Sequence, residues 1–220
     1  MGLDELAYKY NTDKRPNRHG YTGFYERLLK NVSVSHLLEI GIYNGASHAM
    51  WLDYFPEATV YGIDIDRATL KKVRRLTDGN PRLILGLVDQ GSREQTQEWA
   101  EKQGVMFDVI VDDGSHIVSH QIASFEVLWP FISEGGVYII EDTYTSYWPN
   151  SKHSYVDQSL TCVEYFKAMV DELNLVDEGT DINKGYGDYN KVKLGKRLSL
   201  VQDTVDSIQF RNGTIVVYKR

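Results

Sequence analysis

Two apolar segments of the sequence end on acidic side chains. They read VIVDDGSH at residues 109–116 and IIEDTYTSYWP at residues 139–149. Asp112 and Asp113 end the first segment, with His116 beyond them, whereas Glu141 and Asp142 end the second. A single acid after a strand is ordinary turn chemistry. Two such ends can instead place several oxygen ligands and a base at one edge of a sheet, where the chemistry would be cation binding beside proton transfer.

Apolar runs alternate with helix-like stretches along most of the chain. The predicted strands are residues 36–41, 59–66, 82–89, 107–113 and 136–142. The predicted helices are residues 3–10, 21–30, 45–55, 67–77, 91–103, 117–132 and 156–173. Because these strands are apolar throughout, the alternation predicts an α/β fold in which helices cover both faces of a parallel sheet.

The end of the chain departs from this alternation. In DSIQFRNGTIVVYKR, two strand-like runs flank Asn212-Gly213, which is a strong hairpin signal. Residues 174–203 are polar and have no clear period, so loops are expected there, as a lid or an oligomer contact. We expect one domain over residues 1–220, with a helical segment at residues 1–33.

Composition and charge narrow the class of protein. The 220 residues are 42% hydrophobic and 25% charged, as in an ordinary globular protein. A net charge of −7 and a pI near 5.4 argue against a binder of bulk nucleic acid, which would be basic. The single cysteine, Cys162, cannot form an internal disulfide, and the N-terminus has no basic-then-apolar signal pattern. No apolar run approaches the roughly 20 residues of a membrane span, so a cytoplasmic location without membrane insertion is expected.

A glycine-bearing turn follows the first predicted strand. Glu39 precedes Gly41 and Gly45 in EIGIYNG, just before a predicted helix. Glycines at such a turn let the backbone approach a ligand closely, since no Cβ intervenes. The dinucleotide fingerprint G-x-G-x-x-G is absent, so by itself the segment is equally an ordinary strand-to-helix turn.

Acidic residues also end the second and third predicted strands. Asp64 ends YGIDID, where a carboxylate can accept hydrogen bonds from the ribose hydroxyls of a nucleoside. Asp89 and Gln90 end the third strand, where polar groups can read an adenine edge. Scattered surface acids would not align with strand ends in this way.

Together these motifs resemble the class I S-adenosylmethionine-dependent methyltransferases. The resemblance rests on E-x-G-x-x-x-G, the acid after strand two, Asp-Gln after strand three and the closing hairpin. More narrowly, VDDGSH followed by GGVYIIEDTYTSYWP is similar to the metal-dependent sugar O-methyltransferases of macrolide biosynthesis, and YNTDKRPNRHGYTGFYERLL to the segment before their fold core. The resemblance covers residues 5–150 well, and we expect no counterpart of the separate N-terminal domain of some relatives in these 220 residues. It implies a Rossmann-like, doubly wound, mostly parallel seven-stranded sheet with a C-terminal antiparallel hairpin.

The resemblance also implies roles for individual residues. His116 matches the general base. Three carboxylates match the ligands of Mg²⁺ or another hard divalent cation: Asp113, Glu141 and Asp142. The positions around the methyl donor are Glu39, Gly41, Gly45, Asp64, Asp89, Gln90 and Asp112. A metal can lower the pKa of an alcohol and a nearby base can take its proton, which is what a poor nucleophile needs.

Structural alternatives remain open for these residues. Asp112 or Asp113 can cap the helix that follows, and Asp142 has the same alternative. His116 can be a surface residue at a helix start. Three aromatic residues either anchor their loop or stack on a sugar: Tyr144, Tyr147 and Trp148. Three residues of the N-terminal segment either reach the donor or acceptor or are flexible surface residues: Lys14, His19 and Tyr21.

The leading hypothesis is Mg²⁺-assisted O-methylation of a sugar hydroxyl in a nucleotide sugar, a polysaccharide precursor or a glycosylated natural product. The acceptor would be a small sugar-containing molecule and not a nucleic acid. The nearest rival is N-methylation of an amino sugar or amide, which needs no metal. A nicotinamide-dependent oxidoreductase is disfavoured by the missing third glycine and the terminal hairpin. A non-enzymatic adenosylmethionine-binding module would not need His116 or the carboxylates.

Overall fold

The computed structural model of the protein describes residues 1–148, 160–174, 201 and 203–220. Within these residues one sheet contains the strands β1 (His36–Ile40), β2 (Thr59–Asp64), β3 (Leu83–Leu87), β4 (Phe107–Asp112), β5 (Ile132–Glu141), β6 (Val205–Arg211) and β7 (Thr214–Lys219). The helices are α1 (Leu3–Tyr10), α2 (Thr22–Leu29), α3 (Ala46–Tyr54), α4 (Arg67–Leu76), α5 (Arg93–Gln103), α6 (Val118–Leu128) and α7 (Cys162–Asn174). Two short 3₁₀ helices cover Trp129–Phe131 and Thr143–Tyr147.

The strand order is β3-β2-β1-β4-β5-β7-β6. β1 to β5 run parallel, whereas β7 lies antiparallel between β5 and β6. The predicted parallel sheet with a closing antiparallel hairpin is therefore confirmed. Strand order reverses at β1, which pairs with β2 on one side and β4 on the other. Open α/β sheets bind ligands at the carboxyl ends of strands beside such a reversal.

Two hydrophobic cores lie on opposite faces of the sheet because successive strand residues point to opposite sides. Leu37 and Val109 belong to the core covered by α1 to α4, together with Trp51. Leu38 and Ile110 belong to the core covered by α5 to α7. Each fully buried large aliphatic side chain stabilises the fold by roughly 1.5–3 kcal/mol. Apolar strands buried on both faces thus hold the strand ends in fixed positions.

The junction between α6 and β5 differs from the prediction. The helix predicted at residues 117–132 ends at Leu128, and one 3₁₀ turn follows it. Pro130 lies in that turn, has no N–H and disfavours continuation of an α-helix. As a result β5 begins at Ile132, earlier than predicted.

The turn of the terminal hairpin lies beside the carboxyl end of β5. Gly213 has φ 72° in that turn, a left-handed conformation that glycine adopts without steric cost. Thr214 of β7 lies opposite Glu141 in the antiparallel ladder, and the Thr143 N–H donates to the Gly213 carbonyl. The hairpin therefore borders the acidic strand end that the sequence singled out.

Two of the predicted segments lie partly or mostly outside the described residues. Of the loops predicted at residues 174–203, almost all lie outside the described residues. Of the helix predicted at residues 156–173, the structure shows α7 from Cys162 onward, and residues 156–159 lie outside the described chain. Among the described helices, none has both the length and the apolar character needed to cross a membrane.

Candidate active site

Two cavities open at the carboxyl ends of the parallel strands. The β2–β3 cavity, of about 480 Å³, is lined at its strand ends by Asp64 and Asp89. The acidic cavity, of about 410 Å³, is lined by residues of the N-terminal segment and by Asp142. The two cavities share four lining residues, which form the border between them: Gly41, Tyr43, Asp113 and Gly114. Two ligands could therefore meet at this border.

Asp64 organises the turn between β1 and α3. Its Oδ2 accepts hydrogen bonds from the backbone N–H groups of Ile42 (2.9 Å) and Tyr43 (3.3 Å). Its Oδ1 accepts from the backbone N–H of Asp66 at 2.8 Å. Because a carboxylate has about four lone-pair sites and the turn uses three, Asp64 can still accept about one further bond from a ligand in the β2–β3 cavity.

Gly41 and Gly45 are required for different reasons. Gly41 has φ 90°, and a Cβ there would lie 2.2 Å from the backbone oxygen of Asp113. Gly45 has φ 80°, and its Cβ would lie 2.4 Å from a methyl group of Val73 in α4. Gly41 therefore lets the two strand-end loops touch at the cavity border, whereas Gly45 lets α3 pack on α4.

Gln90 links the end of β3 to the loop after β4. Its Nε2 donates to Asp112 at 2.7 Å, and its Oε1 accepts from the backbone N–H of Ser115 at 2.8 Å. Gln90 lines the β2–β3 cavity beside Asp89, which accepts from the backbone N–H of Gly91 at 2.8 Å. These two bonds use one N–H and one lone pair of the Gln90 amide, which leaves one of each for a ligand.

Asp112 and Glu39 lie behind the cavity walls. Burial raises the pKa of Asp112 to about 7, although the hydrogen bond from Gln90 opposes this shift. Glu39 is buried and accepts from Trp51 Nε1 at 3.0 Å. Neither carboxylate is among the described residues that line the two cavities. Any effect of Asp112 or Glu39 on a donor is therefore indirect in this structure.

Three predicted site residues converge in the acidic cavity. One ligand atom each of Asp113, His116 and Asp142 lies within 4.8 Å of the others. His116 Nε2 is 3.7 Å from Asp142 Oδ2. Asp142 is further held by Tyr21, whose hydroxyl donates to Oδ1 at 2.6 Å. Carboxylate oxygens at this spacing fit a hard divalent cation, and a histidine beside them suits proton transfer.

Glu141 instead faces Lys14 in this structure. Both Glu141 carboxylate oxygens lie 2.8 Å from Lys14 Nζ, and the Tyr25 hydroxyl also donates to one of them. Lys14 Nζ additionally lies 2.5 Å from Asp113 Oδ2 and 3.3 Å from Glu39 Oε1. The role of Glu141 as a metal ligand stays a prediction. Asp113 and Glu141 both contact Lys14, so Asp113 connects Glu141 to the cluster of Asp113, His116 and Asp142.

The surroundings of Lys14 keep it charged. Its side chain is 1% exposed, so the alternative of a flexible surface residue is wrong for Lys14. Burial alone would lower the pKa of the ammonium group, but the carboxylates of Asp113, Glu141 and Glu39 together raise the pKa well above its usual value. The acidic site, meaning the acidic cavity together with the buried carboxylates around Lys14, therefore contains a fixed positive charge.

The helix-capping alternatives are also wrong for the acids after β4. Helix α6 has Ile117 at its N-cap position and no side-chain cap hydrogen bond, so neither Asp112 nor Asp113 caps it. Asp142 precedes the 3₁₀ helix Thr143–Tyr147 but makes no side-chain cap bond. These carboxylates therefore have other partners.

The three predicted aromatic residues lie in or directly after the 3₁₀ helix Thr143–Tyr147. Tyr147 and Trp148 are 59% and 46% exposed, and the rings of Tyr144 and Trp148 lie 5.5 Å apart. The Tyr144 hydroxyl lies 3.4 Å from Nδ1 of His19. In the part of the chain that is described, none of the three aromatics lines either cavity, and their role in acceptor binding stays a prediction.

Sequence reasoning missed Tyr25 and did not place Lys14 and Tyr21. All three come from the segment around α2 and reach acids at the end of β5, more than 100 residues away in the chain. The available signal was the resemblance of YNTDKRPNRHGYTGFYERLL to the segment before a known fold core. A polar loop sequence alone does not indicate which carboxylate, more than 100 residues later in the chain, its side chains will contact.

Comparison with known proteins indicates a methyltransferase domain. Residues 38–143 match a family described as a methyltransferase domain. An L-olivosyl-oleandolide 3-O-methyltransferase of Streptomyces antibioticus is 38% identical over 187 residues, covering 78% of this chain and 46% of the relative. A mycinamicin VI 2''-O-methyltransferase of Micromonospora griseorubida is 34% identical over 206 residues, covering 87% and 49%. The chain thus spans about half the length of the curated relatives it matches.

Solved structures show the same fold. A structure of the MycE methyltransferase from the mycinamycin biosynthetic pathway, in complex with Mg and SAH, has a TM-score of 0.76 and 29% identity, covering 100% of this chain and 54% of the other. A second, which also holds mycinamycin VI, has a TM-score of 0.75 and 28% identity, covering 100% and 54%. At 13% identity, a protein described as a caffeoyl-CoA O-methyltransferase from Staphylococcus aureus shares the fold alone, with a TM-score of 0.58 over 90% of this chain and 81% of the other.

Proposed function

We propose that this chain is a methyltransferase that transfers the methyl group of S-adenosylmethionine to a sugar hydroxyl with the help of Mg²⁺. The premise is that residues 38–143 match a methyltransferase-domain family and that the chain has the class I fold. The observation that carries the proposal is the meeting of Asp113, His116 and Asp142 beside the border of two cavities. One cavity suits the methyl donor and the other suits a cation and an acceptor.

The donor occupies the β2–β3 cavity in this proposal. Asp64 accepts a hydrogen bond from a ribose hydroxyl through Oδ1, and Asp89 lies at the neighbouring strand end. Gly41 lets the loop after β1 lie against the backbone of Asp113 at the cavity border, where the donor would meet the acidic cavity. Holding donor and acceptor in line is the main contribution of the protein, because the donor already carries a good leaving group.

Asp113 and Asp142 would hold the metal in the acidic cavity, and Glu141 would complete the ligand set if its carboxylate turned away from Lys14. When bound, a divalent cation polarises a hydroxyl oxygen and lowers its pKa. His116 takes the proton of that hydroxyl on its imidazole ring. The carboxylate of Asp142, 3.7 Å from Nε2, stabilises the imidazolium that forms.

The transfer step balances with these groups alone. The acceptor oxygen forms a bond to the methyl carbon while the sulfur–methyl bond of the donor breaks. The bonding pair stays on sulfur, which leaves neutral S-adenosylhomocysteine. The hydroxyl proton moves to His116 and then to solvent.

We further propose a small glycosylated molecule or sugar nucleotide as the acceptor. Relatives named as methyltransferases of sugars on natural products support this class. The exposed rings of Tyr147 and Trp148, which follow Asp142 closely in the chain, suit stacking against a sugar. The net charge of −7 disfavours a nucleic-acid acceptor, and N-methylation, which needs no metal, is the second candidate.

The test is a methylation assay on a panel of sugar nucleotides and glycosylated macrolides, read by mass spectrometry. Product is expected with S-adenosylmethionine and Mg²⁺, and EDTA should abolish it until excess Mg²⁺ is restored. Full activity in EDTA would contradict the metal-assisted mechanism. Activity on amino sugars alone, independent of metal, would favour the N-methylation candidate.

A further inference from the structure

We propose that Lys14 is a built-in cation that sets the divalent-metal affinity of the acidic site. Its ammonium group lies against the same carboxylates that would bind the metal, and it weakens metal binding by charge repulsion. This inference rests on the proposed function, because it concerns the metal site of that function. It assigns Lys14 a role in tuning the site and not in the methyl transfer itself.

The contacts of Lys14 place its charge inside the carboxylate cluster. Nζ lies 2.5 Å from Asp113 Oδ2, 2.8 Å from both Glu141 oxygens and 3.3 Å from Glu39 Oε1. The Lys14 side chain is 1% exposed, so water screens this charge poorly. A metal ion held by Asp113 and Asp142 would share the Asp113 carboxylate with the ammonium group.

The charge balance shows the direction of the effect. Five carboxylates, when ionised, outnumber the three cationic side chains that lie among them or in the cavity wall. The acids are Glu39, Asp113, Glu141, Asp142 and Asp13, and the cations are Lys14, Arg15 and Arg18. The remaining negative charge attracts one divalent cation. Without Lys14 the attraction would be stronger, because like charges a few ångströms apart repel strongly in a buried site.

Lys14 also has a structural role that the test must separate from this electrostatic one. Its backbone carbonyl accepts from the N–H groups of Tyr21 and Thr22, which begin α2. These backbone bonds persist in any side-chain variant. A purely structural role for the side chain would change stability but would not tighten metal binding.

The test is titration of the full chain with Mn²⁺, followed by the electron paramagnetic resonance of free Mn²⁺. We expect Lys14→Met to bind Mn²⁺ about 10-fold more tightly than the wild type, since one positive charge is gone. Lys14→Arg keeps the charge and should stay within about threefold of the wild type. The double variant Lys14→Met/Glu39→Gln removes one charge of each sign and should return the affinity towards the wild-type value.

Glu39→Gln alone tests the same idea from the other side. Glutamine can still accept from Trp51 Nε1, but Lys14 loses one neutralising partner. This variant should therefore bind Mn²⁺ about 3- to 10-fold more weakly than the wild type. It carries the test even if Lys14→Met does not fold, since it leaves every proposed metal ligand in place.

The outcomes separate this inference from the proposed function. Unchanged or weaker Mn²⁺ binding in a folded Lys14→Met, or unchanged binding in Glu39→Gln, would overturn the role of Lys14 while leaving the metal site standing. Absence of Mn²⁺ binding in the wild type, with S-adenosylhomocysteine still bound, would overturn both. Binding of S-adenosylhomocysteine by each variant serves as the check that it is folded.

Discussion

The hydroxyl of Tyr21 donates a hydrogen bond to Oδ1 of Asp142 over 2.6 Å, across 121 positions of the chain. Tyr21 is buried just before α2, and Asp142 follows β5. The N-terminal segment is therefore a wall of the acidic site. Its residues fix the orientation of a carboxylate that the sequence places at the opposite end of the fold.

Tyr21→Phe should destabilise the protein measurably. The substitution keeps the ring but removes a buried hydrogen bond to a charged group, which costs about 1.5–3 kcal/mol of unfolding free energy. Urea unfolding measures the change. The matched control is Tyr10→Phe, whose hydroxyl meets Asp53 at the exposed surface and should cost less than about 1 kcal/mol. Equal losses in the two variants would contradict the special position of Tyr21.

Asp64→Ala should weaken the binding of S-adenosylhomocysteine. Loss of hydrogen bonds from ribose to a carboxylate costs about 1.5–3 kcal/mol, which is roughly 10- to 150-fold in affinity. Isothermal titration calorimetry gives the affinity directly. Asp66→Ala is the control, because Asp66 caps α4 and does not line the β2–β3 cavity. Wild-type affinity in a folded Asp64→Ala variant would mean that Asp64 only holds the turn and does not bind the ribose.

Asp113→Asn and Asp142→Asn should each cut turnover strongly while leaving donor binding nearly intact. Each substitution keeps the size of the side chain but removes a negative oxygen ligand from the cation. Raising the Mg²⁺ concentration should rescue part of the loss. Glu126→Gln is the control, because Glu126 is a surface carboxylate paired with Arg93. Turnover that stays at the wild-type level in both site variants would exclude a metal at this place.

His116→Ala should lower turnover by roughly 10²–10⁴-fold, the usual range for removing a positioned base. The residual rate should rise with pH, because solvent hydroxide replaces the missing base. Steady-state rates between pH 6 and pH 9 measure both effects. His36→Ala is the control, since His36 begins β1 at the opposite edge of the sheet. A His116→Ala enzyme as fast as the control would mean that another group takes the proton.

His48 should make the fold sensitive to acid. Burial lowers the pKa of His48, although the Glu39 carboxylate 3.4 Å away opposes the shift. Because the unfolded chain binds this proton more readily, the stability is fully present above about pH 6.5 and is lost as the pH falls below it. From pH 8 to pH 5.5, the wild type should lose up to about 1.4 kcal/mol more unfolding free energy than His48→Gln, because the variant has no imidazole to protonate. Urea unfolding at the two pH values decides this, and equal losses would contradict it.

Much of the fold and of the strand-end acids could be predicted from the sequence. The buried strands are apolar throughout, and the carboxyl ends of parallel strands meet at one edge of the sheet. Asp113, His116 and Asp142 therefore come together from two local motifs. Asn212-Gly213 marked the closing hairpin for an equally local reason, because the turn needs a left-handed residue.

The partners of Glu141 could not be predicted in the same way. Lys14 and Tyr25 reach it across 127 and 116 positions of the chain, and no local periodicity encodes such a distance. In the sequence, Lys14 sits in a polar stretch that looks like a surface loop. The end of α6 was missed for a smaller reason, since Pro130 was included in a helix that it interrupts.

Three residues at the cavities hold a backbone conformation that suits glycine better. Tyr43, His116 and Asp142 have φ values of 49°, 56° and 54°. A left-handed conformation costs an ordinary residue about 1–2 kcal/mol. Tyr43 is 79% exposed and recovers little of this by burial, yet it borders both cavities. Directed evolution for thermostability alone would therefore favour glycine at Tyr43, so heat tolerance and a side chain that borders both cavities place opposite demands on the same backbone.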